Sequence, residues 1–413
     1  MPTAEILSQG DEVVTGQVAD TNAAWLSTRL TDLGFDIVRH TSVGDRIDDL
    51  CDVLAEIAGR ADFCVCSGGL GPTQDDLTAE AVARTFDRAL QFDDEAMAQI
   101  EERYARFGRV MPEVNSKQAW LPSGSKRLDN AWGTAPGFLI ETSRAVMAFV
   151  PGVPTEMRKM FDQRVVPLLH AHYDLRAGRM ITFKTIGVGE SDLQERLGDF
   201  SYDGVVVSFR TKLPENHIKL RFAGDATEAF IAEVREDMIS RIGSPLFGID
   251  CGNLAEVVGH TLGERKHTVS TAESCTGGRI GASFTAVPGS SGWFTEGAIT
   301  YSNDAKIRML GVRPATLEAY GAVSEQIARE MAEGIRQRAG TTYGLSATGI
   351  AGPGGATAEK PVGTVHIAVA APGSDNNSHT VHRRLNLSGD RERIQTLAAA
   401  AVIDTLRRLL PER

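Results

Sequence analysis

The feature that most constrains this chain is a unit repeated through its first third: a short apolar run, a glycine-bearing loop, then apolar residues at helical spacing. "AEIL" leads into a helical stretch with Trp25, Leu26, Leu30 and Leu33 on its apolar side, closed by Gly34. "DFCVC" leads into "SGGLGPTQDDLTAEAVARTF", where Leu77, Ala81 and Phe86 recur at helical spacing. "RAVMAFV" runs into "PGVPTEMRKMF", which restarts as a helix. Strand, loop and helix in alternation predict a mostly parallel sheet covered on both faces. Ligands of such sheets collect at the carboxyl ends of the strands, where these glycine loops fall.

From about Met180 the pattern changes to "MITFKTIGVGESDLQERLGDF", "GVVVSF", "HIKLRF" and the helix-like "ATEAFIAEVREDMISRI". This predicts a small ββα or αββα module, bounded by "GSPLFGIDCGN" with its Gly, Pro and Asn. A second α/β domain of mixed strand direction follows. It is read as a helix ("LAEVVGHTLGER"), a strand running into "AESCTGG", strands "EGAITYS", "YGLSATG", "VGTVHIAVAA" and "HTVHRRLNL", a helix from Ser324, and a closing helix with Ile394, Leu397, Ala401 and Leu406. The predicted divisions are 1–170, 178–247 and 252–413.

With 413 residues and 42% hydrophobic content the chain can bury more than one core. Its net charge of −11 argues against a broad electrostatic grip on nucleic acid or anionic lipid, and favours small ligands. No apolar run approaches the roughly 18 residues of a membrane span, and the N-terminus lacks a signal-peptide pattern, so a cytoplasmic location is expected. Five scattered cysteines fit neither a disulfide framework nor a zinc knuckle. Cys64 and Cys66 share one face of a strand and read as core packing.

In "SGGLGPTQDDLT" the glycines permit close backbone approach and the helix behind them offers free N–H groups, which suits phosphate. Thr73 and Asp76 have the spacing of a capping box. Asp75 and Asp76 together have instead the oxygen chemistry of a site for a divalent cation bridging ligand phosphates. "GDE" at Gly10 to Glu12 and "DTN" at Asp20 to Asn22 adjoin the same strand ends.

In the last domain, nucleophilic catalysis would need an activated nucleophile, a proton carrier and donors for developing negative charge. His260, His267, His366, His379 and His382 lie in helix or strand contexts and read as surface or satisfied core. Lysine is the other available base if burial or charge lowers its pKa, and "TYSNDAKIRML" places Tyr301 and Lys306 just after a strand. Spacing alone makes Lys306 an exposed helix charge.

"GDEVVTGQVADTN", "SGGLGPTQDDLT", "NSKQAWLP", "NAWGTAPGF" and "PGVPTEM", in that order, resemble the N-terminal domain of the CinA family, a relative of molybdopterin-binding domains. "AESCTGG", "VPGSSGWFTEGAITYSNDAKIRMLGV", "GAVSEQIAREMAEG", "ATGIAGPGG", "EKPVGTVHIAV" and "GDRERI" resemble its C-terminal domain. The middle module resembles the small KH-type domain of full-length members, although its "GVGES" loop is not the GXXG clamp of a nucleic-acid-binding KH domain, so a spacer or dimer-arranging role is expected.

The resemblance implies two α/β domains joined by a small α+β domain, and a bifunctional enzyme of pyridine-nucleotide salvage. It implies an ADP-ribose pyrophosphatase using Mg²⁺, Mn²⁺ or Co²⁺ at the N-terminal end, with Asp11, Asp20, Asn22, Gly68, Gly69, Asp75 and Asp76 at the pocket. Asp75 or Asp76 would lie nearest the metal and Lys117 would meet phosphate. At the C-terminal end it implies a metal-free deamidase converting nicotinamide mononucleotide (NMN) to nicotinic acid mononucleotide and ammonia. There Ser274 would be the nucleophile, Lys306 its base, Tyr301 a supporting donor, and Thr348 with Gly349 part of the substrate and oxyanion cradle. Gly277, Gly278 and the helix start after them would hold the NMN phosphate or position the nucleophile, and Arg391 or Arg393 would pair with phosphate. A Ser and Lys pair is a known variant of triad chemistry.

Cys275 reads as packing, since nothing near it in sequence makes a thiolate. If the strand continues through "AESCTGG", Ser274 and Cys275 point to opposite faces. A homodimer is expected from family and symmetry. Two rival functions remain open: binding of a molybdopterin-type ligand without pyrophosphatase activity, and a non-enzymatic binding protein in DNA uptake or repair.

Overall fold

The computed structural model describes residues 1–373 and 378–410. Residues 411–413, the end of the last expected domain, lie outside them. The chain divides into two compact units, one formed by 1–179 with 222–226 and the other by 180–221 with 227–413. Among the described residues no helix is long and apolar enough to cross a membrane.

In the first unit the order is β1 (Thr3–Gln9), α1 (Asp11–Val14), α2 (Thr21–Leu33), β2 (Asp36–Val43), α3 (Ile47–Arg60), β3 (Phe63–Ser67) and α4 (Thr78–Thr85). Then come β4 (Leu90–Phe92), α5 (Asp94–Arg106), β5 (Trp120–Pro122), β6 (Lys126–Leu128), β7 (Gly137–Glu141), β8 (Val146–Val150), α6 (Pro154–Met160) and α7 (Val166–His172). Six strands form one sheet in the order β2-β1-β3-β8-β7-β6, with β4 and β5 as a separate ribbon. β2, β1, β3 and β8 are parallel, and β7 and β6 are added antiparallel.

Alternation sorts the side chains of this sheet. Ile6, Val65 and Ala148 pack beneath Leu26 and Leu30 of α2 and Met157 of α6. Leu7, Cys64, Cys66 and Phe149 face Leu50, Leu54 and Ile57 of α3 and Ala81 and Val82 of α4. Burial on both faces makes these strands read as unbroken apolar runs. Cys64 and Cys66 do share one buried face. α2 shows why sequence marks helix ends so well: Asp20 caps it by accepting the Ala23 N–H at 2.8 Å, and Gly34 closes it at φ 101°.

The second unit opens with β9 (Arg179–Ile186), α8 (Glu190–Leu197), β10 (Val205–Lys212), β11 (Glu215–Phe222), α9 (Glu228–Ile242) and β12 (Leu246–Ile249), whose strands pair in the order β10-β11-β9-β12. The module is therefore βαββαβ, not ββα or αββα. "LFGI" inside the expected boundary segment pairs antiparallel with β9, a long-range partner that local turn residues concealed.

The unit continues with α10 (Leu254–Glu264), β13 (Val269–Glu273), α11 (Arg279–Thr285), β14 (Phe294–Ile299), α12 (Asn303–Leu310), α13 (Pro314–Tyr320) and α14 (Glu325–Ala339). It closes with β15 (Tyr343–Gly349), β16 (Thr364–Pro372), β17 (Ser378–Asn386) and α15 (Arg391–Leu409). The sheet order is β14-β13-β15-β16-β17, parallel across β14, β13 and β15 and antiparallel beyond, which is the mixed sheet expected. Val258 and Leu262 of α10, Phe284 of α11 and Val402 and Leu406 of α15 join one core with Leu345, Ile367 and Val369. Leu310 of α12 and Ile327, Met331 and Ile335 of α14 pack with Ala272 and Ala298 in another.

β13 stops at Glu273, so Ser274 and Cys275 lie in the turn that follows, and strand alternation does not decide which way they face.

Candidate functional site

Two groups of side chains gather at strand ends, one in each unit. In the second unit β13 sits between β14 and β15, with Glu273 level with Ile299 and Ala347. Ser274 is held by its own amide, which donates to the Ala347 carbonyl at 2.9 Å. From there the chain turns sharply, with Gly277 at φ 62° and Gly278 at φ 99°, conformations that glycine adopts without strain.

Lys306 lies on α12, whose N-terminus is fixed by Ser302 Oγ accepting the Ala305 N–H at 3.1 Å. Its ammonium nitrogen is directed inward. Lys306 is 1% exposed, and Nζ donates to Ser274 Oγ at 3.1 Å and to the Thr300 carbonyl at 2.9 Å. The exposed-charge reading that spacing favoured is thus overturned, because α12 turns this residue under the strand ends. Burial disfavours the charged form and lowers the Lys306 pKa from its ordinary 10.5, against a smaller opposing effect of Cys275. A buried amine with a lowered pKa, hydrogen-bonded to a hydroxyl, has the chemistry required of a general base beside a nucleophile.

Cys275 is buried at 5% exposure, and burial pushes its thiol up to about 12. A thiol so disfavoured as thiolate is a packing residue. The histidines expected as satisfied core or surface include a buried His366 whose Nδ1 lies 2.9 Å from Nε2 of the half-buried His382, and an exposed His260 beside Glu264.

The remaining predicted residues are placed less simply. Tyr301 is 62% exposed, and its hydroxyl accepts from Arg391 Nη2 at 2.8 Å, so it meets Arg391 and not the Ser274 hydroxyl. Arg391 also donates to the Gly352 carbonyl at 2.7 Å, which brings the start of α15 to the "GIAGPGG" loop. Arg393 contributes its backbone N–H to the Asp390 cap at 2.8 Å. Among the described residues its guanidinium joins neither Tyr301 nor Lys306.

Thr348 Oγ1 donates to the Ala322 carbonyl at 2.8 Å, so its proton is engaged away from the nucleophile. Gly349 is better placed as a donor. Ala347 turns its carbonyl toward β13, and two residues on, Gly349 presents its N–H to the same side, where β13 has already ended. A Cβ at Gly349 would approach the Thr364 carbonyl and Val365 to 2.7 Å.

The helix start after Gly278 is already occupied. The Glu273 carboxylate, 2% exposed, accepts the N–H groups of Gly278, Ile280 and Gly281 at 2.9, 3.1 and 2.8 Å. Of the two roles expected for Gly277 and Gly278, positioning the nucleophile therefore fits and holding phosphate does not. Glu273 stands in the motif that drew attention to Ser274, but a buried acidic residue at a strand end gives no signal by spacing.

In the first unit the carboxyl ends of β1, β3 and β8 lie level, Ser8 beside Ser67 and Ser67 beside Val150. A cavity of about 420 Å³ opens over them, lined among others by Gly68, Gly69, Asp75 and Asp76, as expected, and by Gln9, Glu12, Asp45, Gln118 and Glu156. Gly68 and Gly69 have φ of 113° and 66°, and a Cβ on either would overlap Gln9, so the loop passes this strand end only as bare backbone.

Asp11 and Asp45 hold one another: the Asp11 N–H donates to Asp45 at 3.0 Å and the Asp45 N–H to Asp11 at 3.2 Å. Asp20 caps α2, and Asn22 Nδ2 donates to the Gly152 carbonyl at 2.7 Å, so these three support the cavity without lining it. Lys117 donates to the Thr73 carbonyl and borders a small neighbouring cavity that shares Gly69, Gly71, Asp76 and Gln118 with the first. Asp76 accepts from the Thr73 N–H at 2.8 Å and from its hydroxyl. The N–H contact is one half of a capping box, the Thr73 hydroxyl donating instead of accepting, and α4 begins only at Thr78, so it closes a loop and starts no helix.

Among the described residues no three His, Cys, Asp or Glu side chains converge as a metal cage. The oxygen donors of Asp75 and Asp76 suit a hard divalent cation only in company with a ligand's phosphates, the usual habit of Mg²⁺. Glu12 falls in the segment that sequence reading places beside the strand end; Gln118 and Glu156 were missed although they lie inside quoted motifs, and Asp45 was missed outside them.

Comparison with known proteins agrees with this two-part anatomy. Residues 5–171 match the family model described as "Probable molybdopterin binding domain", and residues 252–410 match "CinA C-terminal domain". A "CinA-like protein" of Anaeromyxobacter dehalogenans strain 2CP-C is 41% identical over 406 residues, covering 98% of each chain. A "CinA-like protein" of Geobacter metallireducens is 40% identical over 416 residues, covering 99% of each. Among solved structures, the competence/damage inducible protein CihA from Agrobacterium tumefaciens is 39% identical, covering 38% of this chain and 96% of its own, with a TM-score of 0.36. Matched end to end by such relatives, the chain belongs to the CinA family.

Proposed function

We propose that the Ser274–Lys306 pair hydrolyses the carboxamide of NMN. The carrying observation is the buried Lys306 amine 3.1 Å from Ser274 Oγ, its pKa lowered by desolvation. In its neutral form Lys306 takes the hydroxyl proton as Oγ bonds to the amide carbon. Negative charge develops on the carbonyl oxygen, for which Gly349 N–H is the candidate donor. The Lys306 ammonium returns its proton to the departing amine, releasing ammonia and leaving an acyl-serine. Water, deprotonated by Lys306, cleaves that ester to the free acid and restores Ser274. Arg391 at the rim, with Tyr301 beside it, is the group for the substrate phosphate.

The test is ammonia release from NMN by purified protein. Wild type is expected to turn over, and Ser274→Ala and Lys306→Ala are each expected to lose activity. Full activity in either variant removes that residue from the mechanism.

For the first unit the reading is ADP-ribose pyrophosphatase, supported by the glycine loop and carboxylates around the strand-end cavity. Asp75 and Asp76 would hold Mg²⁺, Mn²⁺ or Co²⁺, whose chemistry there is to offset pyrophosphate charge. AMP formation is expected with added metal and is expected to fall in Asp75→Asn and Asp76→Asn. Calorimetric binding of molybdopterin with no response to ADP-ribose would replace this reading. A spacer or dimer-arranging role for the βαββαβ module belongs to the same proposal, with sedimentation expected to give a dimer mass.

A further inference from the structure

Glu273 connects both members of the pair in the second unit. Its carboxylate binds three amides of the turn and helix start that follow Ser274. Its backbone carbonyl accepts the Thr300 N–H at 2.8 Å, and the Thr300 carbonyl in turn accepts Lys306 Nζ at 2.9 Å. One residue thus ties the segment carrying the nucleophile and the strand end that aims the base.

The chemistry favours an ionic side chain here. Exposed amides and the positive end of a helix attract an anion, and hydrogen bonds to a charged acceptor are about twice as strong as neutral ones. Glutamine would keep the volume but present N–H groups where amides already donate.

We propose that Glu273 is a positioning residue for the Ser274–Lys306 pair, and that its carboxylate occupies the amide donors at the start of α11, leaving the substrate phosphate to Arg391. The proposal rests on the reading of Ser274 as nucleophile. It adds a residue that never touches substrate and acts through the turn.

The experiment compares wild type, Ser274→Ala, Glu273→Gln and Glu273→Asp. It follows kcat and KM for NMN, the pH–rate profile, the rate of Ser274 labelling by a fluorophosphonate, and the thermal midpoint. Glu273→Gln is expected to fold, with labelling and kcat down by about tenfold to a hundredfold, the scale of a misplaced reacting group, and KM little changed. Its pH–rate limb is expected to stay in place. Glu273→Asp, which keeps two acceptor oxygens, is expected to recover part of the rate.

Wild-type labelling and kcat in folded Glu273→Gln would overturn the proposal, as would a loss that tracks only the unfolded fraction. A shifted limb with an unchanged plateau rate would also overturn it, and so would failure of both variants to fold, which would make Glu273 a folding cap alone. The underlying reading fails separately: wild type unlabelled at Ser274 removes the nucleophile, whereas labelling without NMN turnover removes only the substrate and leaves the Glu273 comparison intact.

Discussion

On the proposed reading Lys306 concentrates the chemistry of the second unit in one amine, and its protonation gives two predictions. The unfolded chain holds the proton up to about 10.5, the folded chain only to a lower pH. Between those values the unfolded state binds more protons, so stability should rise with pH across that window and level off above it. Lys306→Met should flatten the rise in a series of denaturant titrations. Activity should climb with pH over a limb centred below 10.5 as the amine becomes neutral. Lys306→Arg, fixed as a cation, should lose roughly 10²- to 10⁴-fold in kcat, measured as ammonia release. Cys275→Ala should keep most activity, because the thiol is buried and disfavoured as thiolate; abolished turnover there with an active Ser274→Ala would reverse the two roles. At this scale Ser274 was legible from its motif and Lys306 only as a candidate. The lowered pKa comes from packing that no spacing rule encodes.

Elements place these residues, and their ends are where substitutions should be felt. Asp390 Oδ1 caps α15, the helix whose first residue is Arg391. Asp390→Ala should cost about 1 kcal/mol in thermal or denaturant unfolding, the usual worth of such a cap. Fraying of that turn should also raise KM for NMN more than it lowers kcat. Gly349→Ala should be more damaging, since the added methyl meets the Thr364 carbonyl and Val365 across the β15–β16 ladder. A lower melting temperature with kcat reduced more than KM is expected, and a variant with wild-type kinetics would remove Gly349 from the cradle. Amphipathic helices such as α2, α14 and α15, and most apolar strands, were legible. The thirteen-residue α5 and the short helices α12 and α13 were not assigned. α12 carries its own signal in the Ser302 cap, but eight residues hold too few turns for periodicity to stand out.

At the scale of the molecule, two units carry separate sheets, cores and strand-end sites. The net charge of −11 argues that neither site serves a broad nucleic-acid surface. Anisotropy of labelled single-stranded DNA should stay flat on titration with the protein at low salt. Salt-sensitive binding would revive the DNA-related alternative. The middle module shows how long-range pairing defeats local reading: Gly, Pro and Asn around "LFGI" advertise a boundary, while the sheet uses those four residues as its edge strand.

Sequence by itself determined the alternation of strands and helices, and with it the positions of glycine loops at strand ends, because burial on two faces and the 3.6-residue helical period leave direct marks in residue order. Tertiary structure alone decided what those loops do. Lys306 meets Ser274 from 32 residues away, Glu273 turns a helix start into an occupied anion site, and Asp20 becomes a cap while Asp75 and Asp76 reach a cavity. Each outcome depends on desolvation and on distances between segments remote in the chain. Residue spacing carries neither quantity.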